Sequence, residues 1–285
     1  MKTKSYLYSF GLSLCLAFRS LSVLAQAIPN VDAITFVGAE FVASNAVKTV
    51  FAVQAVQIKP DGSSAWITIG SGFFVQGVGP TSVSKSIFGV TCNHVVNALG
   101  LQTQLFVGVD LTNGYKRLPC TVLYKDSTND IAIVLPNPGT GTNVDAQAVG
   151  LINSMYSTNS FDDGSSLVEG RGVLIVGYPL ALGLKGDRNH PIVRFGMIAQ
   201  NSEESSFLID GMASHGNSGS PVVALSSHNN NLLGMVTSFQ NDSIKLLDEN
   251  GQLSASLPYN SGLARAVKAS VILTDLNEAG KTVNF

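Results

Sequence analysis

From Lys48 onward the chain is written in short apolar runs separated by turn residues. The run Lys48–Ile58, KTVFAVQAVQI, is rich in valine and alternates in part, as a strand with one buried face does. AWITIGSGFFVQG follows, carrying β-branched and aromatic residues broken by Gly70 and Gly72. SIFGVTCNHVV, TQLFVGVDL, RLPCTVLYKD and DIAIVLP come next at short intervals. Several of these runs are parted by glycine, proline or asparagine clusters, which punctuate strands rather than continue them.

Two polar stretches then interrupt the pattern, Pro136–Gln147 and Tyr156–Ser166, and they predict a linker or surface loops between two strand-rich halves. The second half resumes with GVLIVGYP, HPIVRFGMIAQ, SSFLIDG, SPVVAL, NLLGMVTSF and SGLARAV. Short strands at this spacing predict a sandwich or barrel, and two halves of similar strand count predict two packed barrels. The expected boundaries are about 46–150 for the first barrel and about 165–267 for the second. One segment has clear helical spacing: Val271, Leu273 (with Ile272) and Leu276 recur on one face, and Gly280 is a plausible stop. This predicts a C-terminal helix over about 268–279 on an otherwise all-β chain.

The first residues have a different character. Lys2 and Lys4 precede a mostly apolar stretch from Tyr6 to Phe18, and Ala25-Gln26-Ala27 fits a small-residue cleavage site. Residues 1–27 are therefore expected to be an export signal, with the mature chain at 28–285 in the periplasm or secreted; an uncleaved membrane anchor is the alternative. No sustained apolar run long enough to span a bilayer interrupts the interior. Of three cysteines, Cys15 lies in the leader. Cys92 and Cys120 remain, either as a disulfide, which export permits, or as two buried thiols. Charged residues make up only 13% of the chain and the formal net charge is −2, so no basic excess points to nucleic acid. His94, His190, His215 and His228 are scattered without metal-ligand spacing, and no metal or organic cofactor is expected.

Three short segments carry chemistry together. VTCNHVV places His94 at the end of an apolar strand, STNDIAIV places Asp130 at the start of another, and GNSGSP holds Ser218. Each alone has an ordinary explanation. The histidine is structural or merely exposed, Asp130 caps a turn, with Asp126 a competitor four residues earlier, and Gly216–Gly219 is a hairpin turn. Together they form a chemical set. A serine hydroxyl needs an adjacent base at neutral pH. Histidine titrates in that range, and a carboxylate holds its ring in one tautomer. The glycines around Ser218 would aim the amides of Gly216 and Ser218 at a developing oxyanion, since Gly216 can take backbone angles closed to other residues. The order His, Asp, Ser along the chain differs from that of α/β-hydrolases, and no G-x-S-x-G elbow is present in a βαβ context.

The segments GSGFFV, TCNHVV, NDIAIV, IDGMASHGNSGSPVV and LLGMVTSF resemble the trypsin-like serine peptidases, and most closely their bacterial HtrA (Deg) branch. The similarity runs from about Val50 to Val267. It implies two perpendicular six-stranded β-barrels with the active site in the cleft between them. It implies His94 as general base, Asp130 as its orienting carboxylate, Ser218 as nucleophile, and Gly216 and Ser218 as oxyanion donors. Asn217 stands where digestive members carry the aspartate that captures a new N-terminal amine, so that mode of activation is not expected. Ser220 replaces a common glycine. After Val267 there is room for one helix, so the PDZ module of HtrA proteins is expected to be absent. Met212 falls near the base of the implied specificity pocket, without a carboxylate to favour Lys or Arg. Thr237, Ser238 and Phe239 resemble the strand that pairs with substrate backbone, and Phe239 would favour a small or medium apolar side chain.

The expected function is thus an exported serine endopeptidase acting on protein or peptide substrates through an acyl-enzyme. The alternatives are a catalytically silent binding protein on the same scaffold and an esterase using the same three residues. Oligomeric state, physiological substrate and side-chain preference are not written in the sequence.

Overall fold

In a computed structural model of the chain, the structure describes residues 36–77, 86–98, 104–111, 114–137, 155–181, 184–185, 188–225, 231–247 and 252–282. The expected leader 1–27, Cys15, His228 and most of the loop after Pro136 lie outside these residues.

The apolar runs fold as two closed antiparallel barrels. Strands β1 (Val50–Ile58), β2 (Ser64–Gly77), β3 (Ser86–Cys92), β4 (Leu105–Leu111), β5 (Gly114–Asp126) and β6 (Ile131–Pro136) close in the order β1-β2-β3-β6-β5-β4. Strands β7 (Gly172–Gly177), β10 (Ile192–Gln200), β11 (Ser206–Asp210), β12 (Pro221–Ala224), β13 (Leu232–Leu247) and β14 (Leu253–Lys268) close in the order β10-β11-β14-β13-β12-β7. The short pair β8 (Leu184–Lys185) and β9 (Arg188–Asn189) forms a separate ribbon. Closure removes the unpaired edges that open sheets must protect.

Glycine within the strands makes room rather than turns. The ring of Phe51 fills the first barrel, and a β-carbon at Gly72 would lie 2.3 Å from its Cζ. This is why β2 runs unbroken through Gly70 and Gly72. Strand β7 is buried on both faces, which explains its continuous apolar run. Val173 and Ile175 face the second barrel's core, whereas Leu174 and Val176 join a larger cluster with the first barrel's Phe51, Phe73 and Ile133. The barrels therefore share a dry seam, and Met235 and Val267 of the second barrel contribute to it.

Three differences from the sequence-based expectation matter. Helix α1 (Phe36–Thr49) precedes β1 and buries Val42 and Ala46, so the residues just before Val50 are helical. His94 lies not at a strand end but in the short helix α2 (Asn93–Asn97). The terminal helix α3 spans Ala269–Thr282, running through Gly280, and its buried stripe is Ile272, Asp275, Leu276 and Ala279 rather than one led by Val271 and Leu273. Cys92 and Cys120 are both buried free thiols.

Candidate active site

Helix α2 begins without a side-chain cap of its own, since Cys92 at the N-cap makes no such bond. The orphan amides of a helix start need acceptors, and Asp130 supplies them from the start of the neighbouring strand β6, where Ile131 pairs with Cys92. Its carbonyl accepts from the Asn93 amide at 3.1 Å, and its Oδ1 accepts from the His94 amide at 2.9 Å. Its other oxygen, Oδ2, lies 2.6 Å from His94 Nδ1. One residue thus fixes both the backbone and the ring of His94. Asp130 does this with φ at 57°, a left-handed conformation uncommon for a residue with a β-carbon. Such an outlier persists only where surrounding bonds over-determine it.

Asp126 holds the turn that delivers Asp130. Its Oδ1 accepts from the amides of Thr128 and Asn129, and its Oδ2 accepts from Asn129 Nδ2 at 2.6 Å. Partial burial opposes its charge, but these bonds from Asn129 and Thr128 prevail and hold its carboxyl below the usual range. Both of its oxygens are committed to the turn, and its ring-facing competitor is Asp130. Lys125 Nζ donates to Asn97 Oδ1 at 2.6 Å and ties this turn to the end of α2.

Ser218 sits on the second barrel's loop between β11 and β12, half-buried. The residue that anchors this loop is Ser71 of β2, which the sequence reading did not single out. Ser71 is fully buried. Its amide donates to the Ser218 carbonyl at 2.8 Å, its hydroxyl donates to the Gly216 carbonyl at 2.6 Å, and the same oxygen accepts from the Tyr178 amide at 2.9 Å. Thr91 Oγ1 in turn donates to the Ser71 carbonyl at 2.7 Å. The G-S-G step within an apolar strand was the available signal. A small polar residue between glycines in a strand marks close backbone approach.

The loop's glycines are needed for both angle and space. Gly216 has φ 91°, and a β-carbon there would lie 2.3 Å from the Tyr178 carbonyl oxygen. Gly219 has φ 89°, and its β-carbon would lie 1.9 Å from the Ser71 carbonyl oxygen. Within this loop the amides of Asn217, Gly219 and Ser220 donate to Ser214, Val236 and Asn217 carbonyls. The amides of Gly216 and Ser218 have no acceptor among the described residues. Asn217 is buried, its Oδ1 accepting from the Ser214 amide at 3.2 Å and its Nδ2 facing Ser220 Oγ at 3.4 Å.

The two halves meet at Gly70. A β-carbon there would lie 2.7 Å from Val95 Cγ2 and 3.1 Å from the Ser218 carbonyl oxygen, so the neighbour of His94 and the backbone of Ser218 flank one α-carbon. The His94 side chain is 52% exposed. Its ring bonds to Asp130, and no hydrogen bond joins it to Ser218. Ser218 Oγ instead donates a long bond to the Thr237 carbonyl at 3.4 Å.

The remaining residues expected near substrate fall around this loop. Thr237 is buried at a bulge between Val236 and Ser238. Phe239 is partly buried, and its ring meets His215 edge-on with centroids 5.2 Å apart. Met212 is 60% exposed, and its carbonyl accepts from Arg194 Nη1 at 2.8 Å.

Donor atoms of Cys92, His94 and Asp130 lie within 4.8 Å of one another, a grouping that histidine spacing in the sequence did not suggest. These donors have other commitments. Cys92 Sγ donates to the Val236 carbonyl at 3.3 Å, and burial, with Asp130's charge beside it, pushes its thiol well above the usual range. Burial likewise pushes the Cys120 thiol up to about 12.

Among solved structures the fold matches an HtrA-type protease, AlgW with decapeptide, at a TM-score of 0.55 and 17% identity, over 84% of this chain and 67% of that one. A search of curated proteins found no match. The profile of the trypsin-like peptidase domain matches residues 70–235, which is more than half of the chain and includes the His94, Asp130 and Ser218 segments, and the chain belongs to that family.

Proposed function

We propose that the chain is an exported serine endopeptidase in which His94, Asp130 and Ser218 act as one unit. The observation that carries this reading is the double engagement of Asp130 with the amide and ring of His94 at 2.9 and 2.6 Å, beside the loop that presents Ser218. Asp130 fixes the tautomer in which Nδ1 carries the proton and Nε2 is free to accept one. For this chemistry the Ser218 hydroxyl must leave the Thr237 carbonyl and turn toward that nitrogen. His94 takes the Ser218 proton as Oγ attacks the peptide carbonyl, and returns it to the departing amine. Water, deprotonated by His94, then releases the acyl group and restores the serine. The unengaged amides of Gly216 and Ser218 are suited to hold the tetrahedral oxyanion in both steps, a role in which one donor is worth about 3 kcal/mol.

Thr237 and Ser238 would pair with substrate backbone, and the Phe239–His215 ring pair would narrow the space for the side chain before the cleaved bond. Export rests on the leader of Lys2, Lys4 and the Ala25-Gln26-Ala27 site. A fluorophosphonate probe tests the chemistry. Covalent labelling of the wild-type protein that is lost in Ser218→Ala supports it, and a wild type that resists labelling removes it. A non-hydrolytic binding role is the second reading, favoured by the Ser218–Thr237 bond standing in place of one to His94. The same experiment separates the two. Comparing turnover of a denatured protein with that of a simple ester separates the peptidase from the esterase.

A further inference from the structure

Strands β13 and β14 continue far beyond the barrel they help to close. Their pairing runs on through Asn241↔Asn260, Asp242↔Tyr259, Ser243↔Pro258, Ile244↔Leu257, Lys245↔Ser256 and Leu246↔Ala255, and after a bulge Leu247 faces Leu253. Every residue from Gln240 to Leu247 and from Leu253 to Tyr259 is exposed. The two strands therefore form a free ribbon, roughly 25 Å long at the rise of a strand.

The ribbon has two unlike faces. Directly paired residues share a face and successive pairs alternate. One face carries Asp242, Ile244, Leu246, Ala255, Leu257 and Tyr259, with Leu253 continuing it, and the other carries Ser243, Lys245, Ser256 and Pro258; Leu247, paired with Leu253 past the bulge, ends the ribbon. The large side chains of the first face are 42–61% exposed. Its one charged residue, Asp242, accepts from the Tyr259 hydroxyl at 2.9 Å. A two-stranded ribbon alone in water is marginal at best, and gains stability when its apolar face is covered.

We propose that this face is covered by the same face of a second copy of the chain, giving a two-fold dimer through the ribbon. Three observations select that occupant. The face is aliphatic and nearly uncharged, so its complement is another such face, and a rung such as Ile244–Leu257 can meet itself across a two-fold axis. The residues between the strands include Asp248 and Glu249, which disfavour an anionic lipid surface. Five half-exposed large side chains offer on the order of 500 Å² per copy, so a pair buries roughly 1,000 Å², the lower limit for a specific contact. That area fits a dimer that dissociates on dilution. The ribbon springs from Gln240, directly after Phe239, so the contact would lie at the rim of the cleft. The inference does not depend on the chemistry of Ser218.

Sedimentation velocity over a hundredfold concentration range is the test. The wild type should move from monomer to dimer, while Ile244→Asp/Leu257→Asp should stay monomeric throughout, with unchanged circular dichroism. Lys245→Glu, on the opposite face, should leave the midpoint within about threefold. A spin label at Ala255→Cys should show dipolar broadening that fades on dilution, and one at Ser256→Cys should not. The labels keep the test valid if the double variant misfolds. A wild type that is monomeric at every concentration overturns the proposal, as does an assembly that survives the double substitution. So does a monomer that binds neutral phosphatidylcholine vesicles through this face, which would make lipid the occupant.

Discussion

The two halves of the candidate site are held in place by different means. The first barrel's half is a local construction: Asp130 takes two helix-start amides and the ring of His94, and Asp126 locks the turn beneath it. The second barrel's half does not hold itself. The Ser218 loop takes its shape from Ser71 and Thr91 of the first barrel and from two glycines pressed against neighbouring carbonyls. Asp130 alone thus orients His94, while the hydroxyl and amide of Ser71, reaching across the seam, orient the loop that carries Ser218. Damage to the Ser218 loop should therefore leave the His94–Asp130 geometry intact.

The largest effect should come from the carboxylate. Asp130→Asn keeps the shape but favours the wrong ring tautomer, and turnover should fall by about 10⁴ with the fold retained. Asp126→Asn should cost less than about tenfold, because it weakens the turn and leaves the ring's partner in place. Steady-state kinetics on one peptide substrate decides this, and the reverse ranking would move the orienting role to Asp126. The glycines come next. Gly219→Ala puts a β-carbon 1.9 Å from the Ser71 carbonyl, which is backbone and cannot yield cheaply. Turnover should drop by about 10²–10³, the range for a lost oxyanion donor. The downfield proton resonance of His94 Nδ1–H should persist in that variant, and its loss would show that the halves are not independent.

Ser71→Ala sharpens the comparison across the seam. It removes the buried hydroxyl that the Tyr178 amide and the Gly216 carbonyl share, at about 1–3 kcal/mol of stability. Because those groups position the loop rather than touch substrate, kcat should fall more than KM rises. Ser71→Thr should restore stability only where its methyl group is accommodated. An unchanged denaturation midpoint in Ser71→Ala would remove Ser71 from the argument.

The barrels were legible because closure leaves a direct trace: each strand's apolar run and the turn residues between them. Of the residues singled out as chemical types, His94 and Asp130 meet in the fold, and Ser218 lies on a loop of the second barrel with its hydroxyl bonded to Thr237. What escaped is what depends on partners far away in sequence. Ser71 is an unremarked serine until it stands between Gly216 and Tyr178. VTCNHVV reads as a strand that ends on His94, but the strand stops at Cys92 and His94 falls in a short helix whose first amides bond to Asp130, thirty-six residues away in sequence. Helix α1 has valines and a glycine that give it weak helical preference, so packing of Val42 and Ala46 decides its state. The ribbon was within reach. Asn250-Gly251 is a strong hairpin signal and the flanking residues alternate, but the alternation begins in polar company after Phe239.

The smallest expected effect lies behind the first half of the site. Asp275 of α3 is buried against the Asp126 turn, with Tyr124 donating to it and Oδ2 without a partner among the described residues. Burial, reinforced by the charge of Asp126, raises its carboxyl to about 6. The unfolded chain releases this proton near pH 4, so between pH 4 and pH 6 the unfolded state gives up a proton that the fold retains. The group therefore opposes folding progressively as pH rises through that window, and by a constant amount above it. Asp275→Asn removes the charge while keeping the shape. It should raise stability by about 1–2 kcal/mol at neutral pH, less than the full shift implies because water reaches part of the surroundings, and by almost nothing at pH 4. Thermal denaturation at the two pH values measures the difference. Equal gains at both would mean that packing, not charge, is what the substitution improves, and that α3 bears on the Asp126 turn only as a neutral wall.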